Sequence, residues 1–250
     1  MGTPFISLVE PSKLEGYKPG LLREEQPADI PSTFLDAIEV REDVFVKEQG
    51  VPVENEFDVD DPRCCHWVAY ASVHTTQEHE VRDETGAVVQ PRKSSTRSTP
   101  IGTVRLVPFP HDPHPDNSSA PTFAADRPTS YHDGRESYVK LGRLAVQKDF
   151  RGNRIAGLLV NTVLDWLKEN PSYFDPSITE LGLEQVGARR ETEIPSWGGL
   201  VCVHAQKKVQ SFWERCGFKI DEGMGTWWEE GILHVGMFQR LPIDEKKVRI

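Results

Sequence analysis

The chain has 250 residues, 37% of them hydrophobic and 27% charged, with a formal net charge of -10. Such a length buries a core without disulfide or metal staples, and the negative balance argues against general nucleic-acid binding while favouring a cationic ligand such as an amine. No apolar run approaches the roughly 20 residues of a membrane helix, and the amino-terminal MGTPFISLVE lacks the basic start and apolar run of a secretory signal, so no membrane contact is expected.

Residues 33–48 read as a helix, with Leu35, Ile38 and Phe45 on one face and a stop at Gly50-Val51-Pro52. After an acidic stretch, residues 66–73 have strand composition. Residues 75–100 are polar and aperiodic, which predicts an inserted loop before a second strand at 102–109. Residues 110–137, rich in Pro, Asp, Ser and His, predict another. Strand character returns at 138–146, and residues 155–169 form an amphipathic helix through Ile155, Leu158, Leu159, Thr162, Val163 and Trp166. A third inserted loop covers 171–199. A short strand at 201–205, a helix at 207–216 closed by Gly217, and a hairpin turning near Glu230-Gly231 complete the chain. Alternating strands and helices predict one mixed α/β domain, residues 1–250.

Cys64, Cys65, Cys202 and Cys216 form no CxxC pair and no secreted framework, so reduced thiols in the cytoplasm are expected. His111 and His114 are three apart, but prolines interleave them and no Cys/His pair follows. No metal site is expected.

The chemistry concentrates at residues 147–156, QKDFRGNRIA, between a strand and a helix. Lys148, Arg151 and Arg154 gather at the positive end of the helix dipole, where each cation is unfavourable by about 0.3–1 kcal/mol unless an anion binds. Backbone amides at the turn chelate such an anion, and Gly152 lets the chain approach closely.

The segment LGRLAVQKDFRGNRIAGLLV resembles the acyl-CoA-binding motif of the GNAT superfamily of N-acetyltransferases, whose Arg/Gln-x-x-Gly-x-Gly/Ala loop holds the coenzyme A pyrophosphate. Arg151 and Ala156 match the ends of that loop, while Arg154 takes the place of its central glycine, where a side chain strains the backbone. Residues 41–61 (REDVFVKEQGVPVENEFDVDD), VHAQ at 203–206 with SFWERCGF at 211–218, and EGILH at 230–234 are similar to further family segments in the same order. The resemblance implies a central twisted mixed β-sheet flanked by helices, with acetyl-CoA as cosubstrate and no metal. It implies coenzyme contacts from Leu144, Ala145, Val146, Arg151, Gly152, Asn153, Arg154, Ile155, Ala156 and Trp213. Dimers are frequent in that family, so a homodimer stays open.

Direct attack of an amine on the thioester, implied by the same resemblance, requires a base, oxyanion stabilisation and a departing thiolate. Glu54, Glu56, Asp58 and Asp60 alternate, so an extended backbone puts them on one face. There, mutual repulsion raises some of their pKa values. Glu54 and Glu56 are candidate bases, Asp58 and Asp60 candidate acceptor contacts, and His66, His204 and His234 alternative bases. The family's usual acid is a tyrosine at the position of Trp213, whose indole cannot serve, which leaves Tyr138, a nearby cysteine or solvent. Trp197, Trp227 and Trp228 are candidates for an acceptor wall, and neighbours in a strand face opposite ways. Aromatics beside carboxylates suit a sugar amine, and the chain faintly resembles fungal enzymes acting on glucosamine. Two other readings remain: transfer to a protein N-terminus or lysine, and a coenzyme A-binding sensor without catalysis.

Overall fold

A computed structural model describes residues 4–78, 81–82, 87–90, 93–115, 127–176 and 196–243. In chain order these contain β1 (Phe5–Val9), α1 (Ser32–Arg41), a π-helical continuation (Glu42–Glu48), β2 (Cys65–Glu78), β3 (Val81–Arg82) and β4 (Val88–Gln90). Then follow β5 (Lys93–Val107), β6 (Ser137–Val146), α2 (Ile155–Glu169), β7 (Trp197–Gln206), α3 (Gln210–Arg215), β8 (Lys219–Ile220), β9 (Thr226–Glu229) and β10 (Ile232–Arg240).

The main sheet runs β1-β2-β5-β6-β7-β10-β8, with β9 on β10, while β3 and β4 pair separately. All pairs are antiparallel except β6 with β7, which the α2 crossover makes parallel. Alternate residues of β2 serve opposite layers. Trp67, Ala69 and Ala71 join the core under α2, whereas Val68 and Tyr70 pack on Ala37 of α1. The expected mixed α/β single domain is present, and among the described residues no helix is long and apolar enough to cross a membrane.

Three expectations are corrected by the packing. The predicted loop 75–100 is largely strand, because β2 and β5 continue as a ladder from Val73↔Arg97 to Glu78↔Lys93. Backbone pairing with serines and threonines on both strands needs no apolar periodicity, so the pattern was silent there. On α2 the buried stripe is Ile155, Leu159, Val160, Val163, Leu164 and Leu167, while Leu158 is 40% exposed. Both flanks of this helix are apolar, and only the sheet decides between them. On α1 the buried face is Phe34, Ala37, Ile38, Val40 and Arg41, with Leu35 and Phe45 half-buried. The predicted loops 110–137 and 171–199 fall partly outside the described residues.

The expected punctuation holds. Glu230 and Gly231 both have positive φ (49° and 71°), as a two-residue hairpin turn matched to strand twist requires. Gly217, at φ 95°, closes α3.

Candidate active site

Strands β6 and β7 pair from Ser137↔Trp197 to Leu141↔Val203 and then separate. Beyond that point β6 keeps its other partner, through Arg105↔Gly142, Thr103↔Ala145 and Gly102↔Val146. A cleft of about 810 Å³ opens between the splayed halves, lined by residues 141–146 on one side and 204–206 on the other. The β6 edge carrying Leu144, Ala145 and Val146 therefore meets no strand there, and its backbone groups are available to an extended ligand. The π-helical segment covers the cleft with Val44, Phe45, Glu48 and Gln49. Its end is tied to β7 by a 2.8 Å Gln206–Gln49 side-chain bond.

At one end the cleft meets a second cavity over the start of α2, sharing Val146, Arg151, Ala156 and Phe212 with it. Arg154 is the N-cap of α2 in the left-handed region (φ 62°, ψ 15°) and gives no side-chain cap. The strain expected of a side chain at this glycine position is thus present. It leaves the first amides of α2 without a side-chain acceptor, which suits an anion. Gly152 is at φ 81°, and Asn153 Nδ2 donates to the carbonyls of Phe150 (3.1 Å) and Arg151 (3.3 Å), fixing the turn. Arg151 and Arg154 line the second cavity, whereas Lys148 lies outside both linings. Arg151 is already engaged, donating to the Val146 carbonyl and to Glu48, each at 2.9 Å. Trp213 also lines the cleft, but it is 5% exposed and packs edge-on against Phe212 and Phe218.

At the other end the acidic segment is not the extended, self-repelling strip that its alternation predicts. Residues Val53–Asn55 form a turn of 3-10 helix, and three arginines penetrate the cluster. Fully buried Arg41 donates to Glu56 (2.5 Å) and Asp61 (2.7 Å). Arg105 donates to both Asp58 oxygens (2.7 and 2.9 Å) and to Asp61 (2.9 Å). Arg143 reaches Asp58 at 3.2 Å from a β-bulge, where its φ of 48° turns the side chain toward the cleft. Burial raises the Asp61 and Asp58 pKa values, but the guanidinium groups outweigh it and hold both carboxyls below the ordinary range. Charge pairing thus replaces the expected upward shift for Asp58. Asp60 lines the cleft paired with Arg63, and Glu54 is exposed and outside the lining.

Two histidines face this end of the cleft, His204 and His234. His234, 8% exposed, donates from Nδ1 to the Ile232 carbonyl at 2.9 Å, which leaves the lone pair of the neutral ring on Nε2. His66 is buried beneath the ion cluster, and burial with Arg41 pushes its pKa down to about 4. Tyr138 is buried against His111, His114 and Phe238, outside the cleft lining, so the geometry does not bring that candidate acid to the site. Trp197 is a core residue whose indole N–H is spent on the Leu200 carbonyl. Trp227 and Trp228 do face opposite ways, at 5% and 71% exposure. It is Trp227 that packs against His204 and His234, while Trp228 lies outside the lining. Among the described lining residues there is no tyrosine, serine or cysteine. Sequence reasoning missed Arg105, Arg143, Lys140 and Glu229, all of which line the cleft. An arginine inside an apolar strand, GTVRLV, was the available signal for the first.

Residues 52–176 match the Acetyltransferase (GNAT) family. The chain belongs to this family, which binds acetyl-CoA or CoA, and it is an acyl-CoA-dependent N-acyltransferase. Among solved structures, an N-acetyltransferase from Lactobacillus plantarum is 20% identical with a TM-score of 0.51, covering 96% of this chain and 99% of that one. It supports the fold. An acyl-CoA N-acyltransferase from Pseudomonas aeruginosa is 18% identical (TM-score 0.47, 95% and 99% covered), and Escherichia coli ElaA is 15% identical (0.48, 95% and 100%). No curated protein matches the chain. None of these likenesses bears on an amino-sugar acceptor.

Proposed function

We propose that the chain transfers the acetyl group of acetyl-CoA directly to the primary amine of a small molecule. The observation that supports this reading best is one continuous cleft, with a helix start flanked by Arg151 and Arg154 at one end and carboxylates and histidines at the other. Bound acetyl-CoA supplies an acyl group activated as a thioester. Its pyrophosphate takes the amides of Gly152, Asn153, Ile155 and Ala156, with Arg151 and Arg154 beside them. The unpaired β6 edge at Leu144, Ala145 and Val146 aligns the pantetheine arm and offers N–H groups to the developing oxyanion. Trp213 and Phe212 wall the thioester.

His234 Nε2 takes the proton that makes the acceptor amine nucleophilic, and the imidazolium returns it to the departing sulfur. This route needs no tyrosine at Trp213. Glu229 draws an ammonium to the cleft, while Asp58 and Asp60, paired with Arg105, Arg143 and Arg63, orient it. Glu56 is clamped by Arg41, so it acts as scaffold rather than base. The acceptor end is narrowed by a bond between Asn55 and Glu230, which favours a small amine over a protein chain. An amino sugar such as glucosamine fits that description. The four free thiols suit a reducing, cytoplasmic setting.

The test is thiol release from acetyl-CoA across glucosamine, polyamines, amino acids and a histone peptide. Turnover with one of the small amines supports the reading. Turnover with the peptide alone redirects it to protein acetylation, and tight coenzyme A binding without turnover makes the chain a sensor.

A further inference from the structure

On the sheet face opposite α2, residues 200, 202 and 204 of β7 point away from the main core, and Cys202 sits there with Tyr138 and Phe238. Cys202 and His204 are two apart on one strand, so their side chains share that face. The chain leaving β5 folds over it and brings His114 to them, although His114 precedes Cys202 by almost ninety residues. Each residue offers a ligand atom, and these atoms all lie within 4.8 Å of one another. His114 and Cys202 are buried.

The hydrogen bonds around this cluster orient its donors. His132 Nε2 donates to the Glu136 carbonyl at 2.9 Å, which makes His132 Nδ1 the acceptor for His114 Nε2–H at 3.1 Å. In the neutral ring, the lone pair of His114 therefore sits on Nδ1. A histidine anchored through one nitrogen and presenting the other is how metal-ligating imidazoles are held. His204 Nε2 is buried with no hydrogen-bond partner among the described residues. A buried imidazole nitrogen left so costs stability unless something takes its lone pair.

We propose that His114, Cys202 and His204 bind a zinc ion. Two imidazoles and one thiolate suit a borderline-soft cation that accepts four-coordination, with the fourth position open to water from the cleft that His204 lines. Binding displaces the Cys202 thiol proton to solvent. Joined this way, the segment after β5 is clamped to β7, and the wall behind His204 at the acceptor end is fixed. Sequence spacing gave no sign of the site, because His111 and His114 have no adjacent cysteine pair and the thiol arrives through the sheet.

The experiment measures zinc in the full-length chain purified without chelator, then titrates the stripped protein with Zn²⁺ and with Co²⁺. About one zinc per chain is expected, with a thiolate-to-cobalt charge-transfer band on Co²⁺ addition. Cys202→Ser should abolish that band, and His204→Gln should weaken zinc binding at least about tenfold, while Cys216→Ser leaves both unchanged. Absence of the charge-transfer band in the wild-type chain would overturn the site without reliance on any variant. Retention of the band in Cys202→Ser would do the same.

Discussion

Asn55 Nδ2 donates to Glu230 Oε1 at 2.9 Å, joining two loops that are 175 residues apart in sequence across the acceptor end of the cleft. Neither residue touches the coenzyme end. Asn55→Ala should raise KM for the amine by about two- to tenfold, the range of one hydrogen bond worth roughly 0.5–1.5 kcal/mol, with KM for acetyl-CoA unchanged. Steady-state kinetics with each substrate varied in turn distinguishes this from general loosening, which moves both constants.

His234 is assigned the proton transfers because its Nδ1 is held by the Ile232 carbonyl. His234→Gln should lower kcat by about 10²–10⁴-fold with KM for acetyl-CoA unchanged, as steady-state kinetics would show. A tenfold or smaller loss would return the role to water.

The phosphate turn separates affinity from strain. Arg151→Glu places a carboxylate beside Glu48 and the incoming phosphates, so coenzyme A binding should weaken at least about tenfold, or ~1.4 kcal/mol. Arg154→Gly should do the opposite to stability. Relief of the left-handed conformation is worth roughly 1 kcal/mol or more, visible as a higher Tm, while loss of the guanidinium still lowers coenzyme affinity. Calorimetric titration and thermal melts of the same samples separate the two effects.

Arg41 is 0% exposed and joins Glu56 to Asp61 beneath the acceptor end. Arg41→Ala leaves Asp61 to Arg105 alone and Glu56 to its 3.4 Å contact with Arg143, and should destabilise the fold by about 3 kcal/mol. Arg41→Ala combined with Glu56→Gln and Asp61→Asn should recover part of that loss in urea unfolding.

Stability should also fall on acidification in two stages. His66 is neutral when folded down to about pH 4, but in the unfolded chain it takes a proton near its ordinary pKa of 6.5. Its contribution is therefore complete above pH 6.5 and lost progressively toward pH 4, by roughly 3 kcal/mol at most. His111, whose pKa burial and Lys140 push down to about 3, has the same sign. Asp58 and Asp61 have depressed folded pKa values, so their stabilisation is present above the unfolded carboxylate range and disappears only below it. His66→Phe should reduce the slope of unfolding free energy between pH 6.5 and 4.5. An unchanged slope would place the pH dependence elsewhere.

The parts of this molecule that could be read from its residues are those set by local chemistry. Gly152 and Arg154 before an apolar helix, Glu230-Gly231 between strands, and Gly217 after α3 each state their conformation within a few residues. Arg41 and Arg105 could not be assigned that way. Their partners come from residues 56–61, and only the sheet brings them together. The acidic alternation misled for the same reason, since repulsion was reckoned without those arginines. Tyr138 is kept from the site by its place along β6, because at Tyr138↔Leu200 the strand is still paired with β7, short of the point where the two part to open the cleft.

The parting of β6 and β7 after Leu141↔Val203 also divides the two demands of the proposed reaction between separate parts of the chain. On the proposed reading, one limb, continuing into the turn at Gly152 and the start of α2, serves the acyl donor. The other, continuing through His204 toward the β9–β10 hairpin, serves the acceptor. The β9–β10 hairpin shares no strand pairing with the β5–β6 ladder, so a change in one can alter the choice of acceptor without disturbing the backbone that holds the donor.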